Sequence, residues 1–230
     1  MDGICKVHTQ FLARALLWFF ERLYTQLAWT YDMVAWLASA GRWNRWVLSV
    51  RSFVEGPRVL ELGHGPGRLL AALANDHHTA FGVDLSPQMT RLTRSRLLQA
   101  RLPLRHTRAK AQSLPFPSAH FDTVVSTFPA PYITDPATLQ EIYRVLRPGG
   151  KLLILHSAVP LGRRPSERLA RFALSFARSE EQLEHPRVRL QAKFQQAGFS
   201  GSAHWVSAPP DQLLIFEGRP PVEKPTPALL

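Results

Sequence analysis

The sequence predicts an α/β fold centred on one mostly parallel, doubly wound sheet of seven strands. Apolar strand patterns alternate with helical ones, a glycine-rich turn follows the first strand, and a Pro-Gly-Gly turn at 148–150 precedes a later strand. Strands that alternate with helices form parallel βαβ units. Strands are predicted at 58–62, 79–83, 103–107, 121–126, 151–156, 202–207 and 213–218, and the last two are expected to pair antiparallel. Helices are predicted at 67–75, 87–100, 136–146, 164–180 (rich in arginine) and 187–197.

The N-terminal region, residues 1–53, is predicted to be a helical cap. Apolar residues recur there at spacings of three and four, and the stripe consists of Leu12, Leu16, Phe19, Leu23 and Leu27. Gly41 is expected to divide the region into two helices. We favour packing of this stripe on the main domain, and contact with lipid or with an apolar substrate is the alternative. The main domain is predicted over 54–218, followed by a disordered, proline-rich tail over 219–230.

The charge balance is basic, since 28 lysine and arginine residues against 17 aspartate and glutamate residues give a formal net charge of +11. Such a charge favours polyanionic surroundings, although a merely solvated surface explains it equally well. Cys5 is the one cysteine, which excludes an internal disulfide and indicates a reducing compartment. The apolar run at 15–20 is too short for a spanning helix and lacks a signal-peptide cleavage site. We therefore expect a cytoplasmic protein, with peripheral membrane contact left open.

The glycine-rich turn carries the clearest chemical signal. Glu61 lies two residues before Gly63-His64-Gly65-Pro66-Gly67, so the spacing is E-x-G-x-G-x-G. Dinucleotide-binding turns instead follow G-x-G-x-x-G, which cradles a pyrophosphate. A carboxylate at this position favours a cationic ligand group, such as an α-ammonium or a sulfonium, and repels a pyrophosphate. A related domain that binds another nucleotide is the alternative.

Asp84 ends the next predicted strand, about 20 residues after the glycine turn, where an acid accepts hydrogen bonds from ribose hydroxyls. An aspartate at a strand end is often only a helix cap. Here Ser86 is the better cap, with Pro87 at the first helical position, which leaves Asp84 for the ribose.

Taken together, these motifs resemble the class I methyltransferases, which use S-adenosylmethionine and share a Rossmann-like fold. Within this class, the chain resembles the broad group that includes the quinone-biosynthesis C-methyltransferases and small lipid methyltransferases, the methyltransferase type 11 group. The resemblance covers roughly residues 30–156 and rests on Tyr31-Asp32 with Ser39, Gly41 and Trp46; the Glu61–Gly67 turn; Val83-Asp84-Leu85-Ser86; Leu114-Pro115-Phe116; Phe121-Asp122; and Leu146-Arg147-Pro148-Gly149-Gly150.

The resemblance implies that S-adenosylmethionine is the cofactor, that S-adenosylhomocysteine is its product, and that no metal is needed. The methionine portion would be held by Glu61, Gly63, Gly65 and Gly67, with His64 contributing through its backbone and Tyr31 reaching over the carboxylate. Asp84 and Leu85 would hold the ribose and adenine, and Thr127 would complete the cofactor site.

One position departs from the family pattern. Relatives have an Asp–Ala pair shortly before Leu114-Pro115-Phe116, and the acid binds the adenine amino group. This chain has Lys110-Ala111-Gln112-Ser113 instead, and a lysine cannot accept a hydrogen bond from an amine. Either the main chain of Ala111 and Gln112 contacts the adenine, or that contact is looser.

The methyl acceptor is expected beyond the fourth strand, where Phe128 and Tyr132 would form an apolar wall and Tyr132 could orient a polar acceptor. His156, at the predicted end of the fifth strand, is a candidate general base, and a structural role is equally plausible. No spacing of histidine, cysteine and carboxylate residues indicates a metal site.

Three functions remain open on these observations. The leading one is methylation of a small lipophilic or membrane-associated acceptor, such as a quinone precursor or a lipid. The second is methylation of nucleic acid, with a phosphate track formed by Arg91, Arg94, Arg96, Arg101, Arg105 and Arg108. The third is a binding module without catalysis, which the intact glycine turn and Asp84 argue against.

Overall fold

The computed structural model describes residue 39 and residues 41–161 and 186–221. They form a seven-stranded sheet in the order β3-β2-β1-β4-β5-β7-β6, in which β7 runs antiparallel to both neighbours and the other neighbouring pairs are parallel. The predicted mostly parallel sheet with a terminal antiparallel pair is therefore confirmed. Its strands are β1 (Arg58–Leu62), β2 (Thr79–Asp84), β3 (His106–Arg108), β4 (Phe121–Thr127), β5 (Leu146–Pro160), β6 (Ser200–Ala208) and β7 (Asp211–Arg219).

Helices cover both faces of the sheet. The described helices are α1 (Trp43–Ser49), α2 (Arg68–Asn75), α3 (Pro87–Gln99), α4 (Pro136–Val145) and α5 (Pro186–Gln196), with 3-10 turns at Val50–Phe53 and Pro131–Thr134. Side chains alternate along the central strands, so Leu152 faces one core while Leu153 faces the other. Helices α1, α2 and α3 pack over one core, and α4 and α5 pack over the second.

The predicted cap is described only from its last part. Gly41 has φ of +81°, and α1 begins two residues later, which agrees with a helix break at this glycine. Residues 1–38, which include the apolar stripe and Tyr31, lie outside the described residues, as do the predicted helix at 164–180 and residues 222–230 of the tail. Within the part of the chain that the structure describes, no helix is long and apolar enough to cross a membrane.

Two strands differ from their predicted bounds. The strand β3 begins at His106 rather than at residue 103, because Pro103 has no N–H to donate to a neighbouring strand. The strand β5 extends from Leu146 to Pro160, well beyond the predicted 151–156. The Pro148-Gly149-Gly150 turn lies within β5 and interrupts its pairing with the start of β4. On the other side, the register of β5 against β7 shifts between Leu155 and Ser157.

Candidate active site

The glycine turn lies at the carboxyl end of β1, at the edge of the sheet where open parallel sheets bind ligands. The backbone N–H groups of Gly63 and His64 donate to Val83 O of β2, at 2.8 and 3.2 Å. Gly63, Gly65 and Gly67 have φ of +70°, +51° and +72°, a region that residues with a side chain rarely adopt. A Cβ on Gly63 would lie 2.5 Å from the Tyr132 hydroxyl, whereas a Cβ on Gly65 would meet nothing within 4 Å. The space beside Gly65 is open to a ligand.

Asp84 joins this turn to the start of α3. Its buried carboxylate accepts hydrogen bonds from Gly65 N at 2.9 Å and from Ser86 N at 2.8 Å, through different oxygens. Ser86 Oγ accepts from Met89 N at 3.3 Å, so Ser86 is the helix cap, as predicted. Each carboxylate oxygen has a second lone pair, so Asp84 can still accept from ribose hydroxyls.

Glu61 is a carboxylate that is almost fully buried, with 2% of its surface exposed, and it lies beside the glycine turn. Among the described residues, its Oε2 has no hydrogen-bond partner. Burial raises the pKa of Glu61 well above its usual value, and the nearby negative charge of Asp84 raises it further, while a hydrogen bond from the Leu70 backbone opposes them. A buried, unpaired acceptor is costly unless a ligand completes it. The α-ammonium group of S-adenosylmethionine is a donor that fits this carboxylate.

His64 contributes more than the backbone role that the sequence predicts, since its ring is buried beneath the turn. Its Nδ1 lies 2.8 Å from Gly65 O and 3.1 Å from Thr93 Oγ1, and the Thr93 hydroxyl also donates to Gly65 O at 2.9 Å. Burial lowers the pKa of His64, so the ring is neutral at physiological pH. The sequence does not predict this role of Thr93. Its spacing of four residues from Met89 and from Leu97 indicates only that it lies on the buried stripe of α3.

Tyr132 closes the turn from the opposite side, in the 3-10 turn that follows β4. Its hydroxyl donates to Leu62 O at 3.3 Å and lies 3.4 Å from Ser126 Oγ. Burial raises the pKa of Tyr132 to about 12, so the phenol stays protonated near neutral pH. Tyr132 therefore can donate a hydrogen bond, but it does not serve as a general base there.

Phe128 forms an aromatic wall of the cleft. Its ring stacks on Trp43 of α1 with centroids 4.4 Å apart, and Trp46 lies 6.3 Å away. Its φ of +48° is unusual for a residue with a bulky side chain, and its N–H donates to Leu155 O at 2.7 Å. Glu61, the glycine turn, Thr127 and Tyr132 line the same cleft, together with Trp43, Val47, Pro129 and Ala130.

The aromatic wall depends on a remote carboxylate. Asp211, buried at the start of β7, accepts from Arg42 Nη1 at 2.9 Å and from Trp46 Nε1 at 2.8 Å. These contacts join the start of α1 to a residue about 165 positions further along the chain. Sequence reasoning missed Asp211, because nothing local marks it as the partner of a cap helix.

His156 does not end its strand, so that prediction is wrong. The strand β5 continues to Pro160, and His156 lies at the irregularity in its pairing with β7, where its side chain is exposed. Strand irregularities of this kind redirect side chains. The residues that line the cleft do not include His156 in the described part of the chain.

The region expected to face adenine contains an exposed apolar side chain and an amide. Leu85 is exposed, and its carbonyl oxygen accepts a hydrogen bond from Arg108 Nε at 2.9 Å. Ala111 and Gln112 are half-buried, and Gln112 Nε2 donates to Asp135 Oδ2 at 3.3 Å, which leaves the amide oxygen as an acceptor. Lys110 is exposed. Tyr31 lies outside the described residues, and among those described no group of three or more metal-ligating side chains is present.

Comparison with known proteins agrees with this geometry. Residues 59–150 match the methyltransferase domain family. Over 124 residues the chain is 34% identical to the ubiquinone/menaquinone biosynthesis C-methyltransferase UbiE of Shewanella frigidimarina. This alignment covers 51% of the present chain and 49% of UbiE. The chain thus spans about half the length of this curated relative.

Solved structures show the same fold. A methyltransferase of Aquifex aeolicus that depends on S-adenosylmethionine matches with a TM-score of 0.54 at 16% identity, over 76% of this chain and 88% of that one. The phosphoethanolamine N-methyltransferase 2 of Haemonchus contortus, solved with S-adenosylhomocysteine, matches with a TM-score of 0.55 at 19% identity, over 83% of this chain and 58% of that one. The chain has the class I methyltransferase fold, and its resemblance to S-adenosylmethionine-dependent methyltransferases is confirmed.

Proposed function

We propose that this protein transfers a methyl group from S-adenosylmethionine to a small, lipophilic acceptor. The observation that carries the proposal is the buried Glu61 carboxylate, whose Oε2 has no partner among the described residues and which faces the same cleft as the glycine turn. A cationic amino-acid group satisfies this carboxylate, and a pyrophosphate does not.

Different residues of the site would bind different parts of the cofactor. Glu61 would bind the ammonium group, the turn would contact the methionine portion through its backbone, and Asp84 would accept from the ribose hydroxyls. Leu85 would pack on one face of the adenine, and the Gln112 amide oxygen would accept from its amino group in place of the missing acid. When bound, S-adenosylmethionine supplies the electrophilic methyl group and its own leaving group.

The acceptor side is apolar. Trp43, Val47, Phe128 and Pro129 would align the acceptor and exclude water, and the Tyr132 hydroxyl oxygen could accept a hydrogen bond from a polar group of the acceptor. Among the cleft-lining residues described, Tyr132 stays protonated, and the His64 ring is engaged beneath the turn. This favours an acceptor that is nucleophilic without a protein base, such as an electron-rich carbon of a quinone precursor, which would lose its ring proton to water after it takes the methyl group. The similarity to UbiE supports this class of acceptor.

Calorimetric titration with S-adenosylhomocysteine tests the cofactor site. We expect Glu61→Gln to weaken binding by about 100-fold, because one partner of a buried charged pair is lost. Without ligand, this variant should unfold at a temperature no lower than the original protein, since burial disfavours the Glu61 charge. Glu55→Gln, at an exposed glutamate that pairs with Lys151 and Arg219, is the matched control and should bind normally. Equal affinity in all three proteins would refute the site.

The acceptor class is tested with isotope-labelled methyl donor and a total lipid extract. We expect label to enter the fraction that organic solvent extracts, and we expect Glu61→Gln to abolish this transfer. Label that enters only water-soluble acceptors, offered in parallel, would contradict the lipophilic acceptor while leaving the cofactor site intact.

A further inference from the structure

The edge of the sheet far from β6 is unusually basic. Between Asp84 and Asp122 the sequence contains six arginines and one lysine and no acidic residue. This segment comprises α3, the turn after it and the edge strand β3. In the described part of the chain, Arg91, Arg94 and Arg101 of this segment make no ion pair with a carboxylate.

Exposed leucines lie among these arginines. Arg91, Arg94 and Leu98 recur at spacings of three and four, so they share the outer face of α3, opposite the buried Met89, Thr93 and Leu97. Leu98 is 51% exposed, and Leu104 in the following turn is 42% exposed. We call this surface the basic edge, and it consists of Arg91, Arg94, Leu98, Arg101 and Leu104.

We infer that the basic edge docks on an anionic lipid bilayer. Arginines attract acidic head groups, and each cation near such a surface strengthens binding roughly fivefold. Exposed leucines add apolar contact with the boundary of the acyl chains. A phosphate track on nucleic acid needs the arginines but gains little from the leucines, and it usually includes aromatic side chains for base stacking, which the basic edge lacks.

The basic edge is separate from the cleft. The helix α3 begins beside Asp84 at the carboxyl edge of the strands, and Leu98, Arg101 and Leu104 lie at its far end. Docking by this surface therefore leaves the cofactor turn accessible and does not depend on methyl transfer. A lipophilic acceptor that resides in the bilayer would be concentrated near the enzyme by such docking.

Co-sedimentation of the full chain with vesicles tests this docking. The probes are vesicles of phosphatidylcholine alone and vesicles of phosphatidylcholine with phosphatidylglycerol. We expect binding only to the anionic vesicles, and we expect Arg94→Gln with Arg101→Gln to weaken it about 25-fold. The matched control is Arg187→Gln with Lys193→Gln on α5, which removes the same charge and should change binding less than threefold.

The apolar contribution has its own matched pair. Leu98→Ser should weaken vesicle binding severalfold and should still do so at high salt, where charge attraction is screened. Val188→Ser on α5, which removes an apolar side chain with the same exposed fraction of 51%, should have no such effect. Glu61→Gln should bind vesicles normally, so failure of the cofactor site and failure of the docking surface are distinguishable.

Three results would overturn the inference. One is an absence of binding to anionic vesicles, and another is equal weakening by the basic-edge and α5 double variants. The third is binding of a homopolymeric RNA that Arg94→Gln with Arg101→Gln abolishes and Leu98→Ser leaves unchanged, with no vesicle binding, which would assign the surface to nucleic acid.

Discussion

The two halves of the cleft are built in different ways. The half that we propose for the cofactor, which we call the cofactor half, is formed by Glu61 and the glycine turn, with Asp84 hydrogen-bonded to that turn. It comes from two adjacent strands and the turns that follow them. The half that we propose for the acceptor, which we call the acceptor half, is formed by Trp43, Val47 and Phe128 from the cap helix and the turn after β4. It is held in place by Asp211, from the other end of the chain.

From this difference we expect cofactor binding and acceptor binding to be separable. The cofactor half depends on local geometry that tolerates little change, because Gly63 and Gly67 have close neighbours and Asp84 accepts two backbone hydrogen bonds. The acceptor half depends on how α1 is seated on the sheet. Changes in the first half should affect affinity for S-adenosylhomocysteine, and changes in the second should affect the acceptor.

Asp211→Ala is expected to have the largest effect. It removes the acceptor of the Trp46 indole N–H and the partner of Arg42, and breaking a buried charged pair costs about 3 kcal/mol of unfolding free energy. Urea denaturation measures this loss. Trp46→Phe, which removes only the indole hydrogen bond, should cost about 1 kcal/mol. If Asp211→Ala weakens S-adenosylhomocysteine binding as much as it weakens acceptor binding, the two halves are not separable.

Gly63→Ala should come next, with a cost of about 2 kcal/mol in unfolding free energy and a large loss of cofactor affinity. The new methyl group would lie 2.5 Å from the Tyr132 hydroxyl, and its backbone would be strained at φ of +70°. Tyr132→Phe removes the hydroxyl and leaves the next ring atom 3.6 Å away, so the double variant should recover part of both losses. Calorimetry on the four proteins of this cycle measures the coupling. Purely additive effects would show that the hydroxyl contact is not what excludes a side chain at residue 63.

Trp43→Leu should have the smallest effect and should fall on the acceptor alone. It removes the stacking on Phe128, which is worth about 1 kcal/mol, so KM for the acceptor should rise about fivefold while S-adenosylhomocysteine affinity stays unchanged. Trp205→Leu, at a partly exposed tryptophan on the edge strand β6, is the control and should change neither value. An unchanged acceptor KM in Trp43→Leu would remove Trp43 from the acceptor half.

The sequence predicts the local geometry around the glycine turn well, because its signals are local. The spacing of Glu61 from the glycines, the strand end at Asp84 and the cap at Ser86 each reflect contacts within a few residues or between adjacent strands. The wall at Phe128 and Tyr132 follows from the position after β4, although its stacking on Trp43 does not.

What the sequence could not predict depends on distant contacts. The sequence predicts that the strand ends at His156, but pairing with β7, between 51 and 57 residues further along the chain, extends it to Pro160. Asp211 and Thr93 carry no motif, and their roles depend on which helices pack above them. The exposure of Leu98 and Leu104 among arginines likewise becomes visible only when α3 is placed on the sheet.

The most direct test of the central claim, that Glu61 receives the cationic end of the cofactor, is the proton released on binding. Without ligand, burial holds the pKa of Glu61 well above its usual value, so the carboxyl is partly protonated over a pH range above that value. A bound ammonium group lowers this pKa, so binding of S-adenosylhomocysteine should release a proton, and affinity should rise with pH across that range. Titration calorimetry in buffers of different ionisation enthalpy measures the release. We predict release in the original protein and none in Glu61→Gln, whereas equal proton release and equal affinity in both proteins would contradict the account.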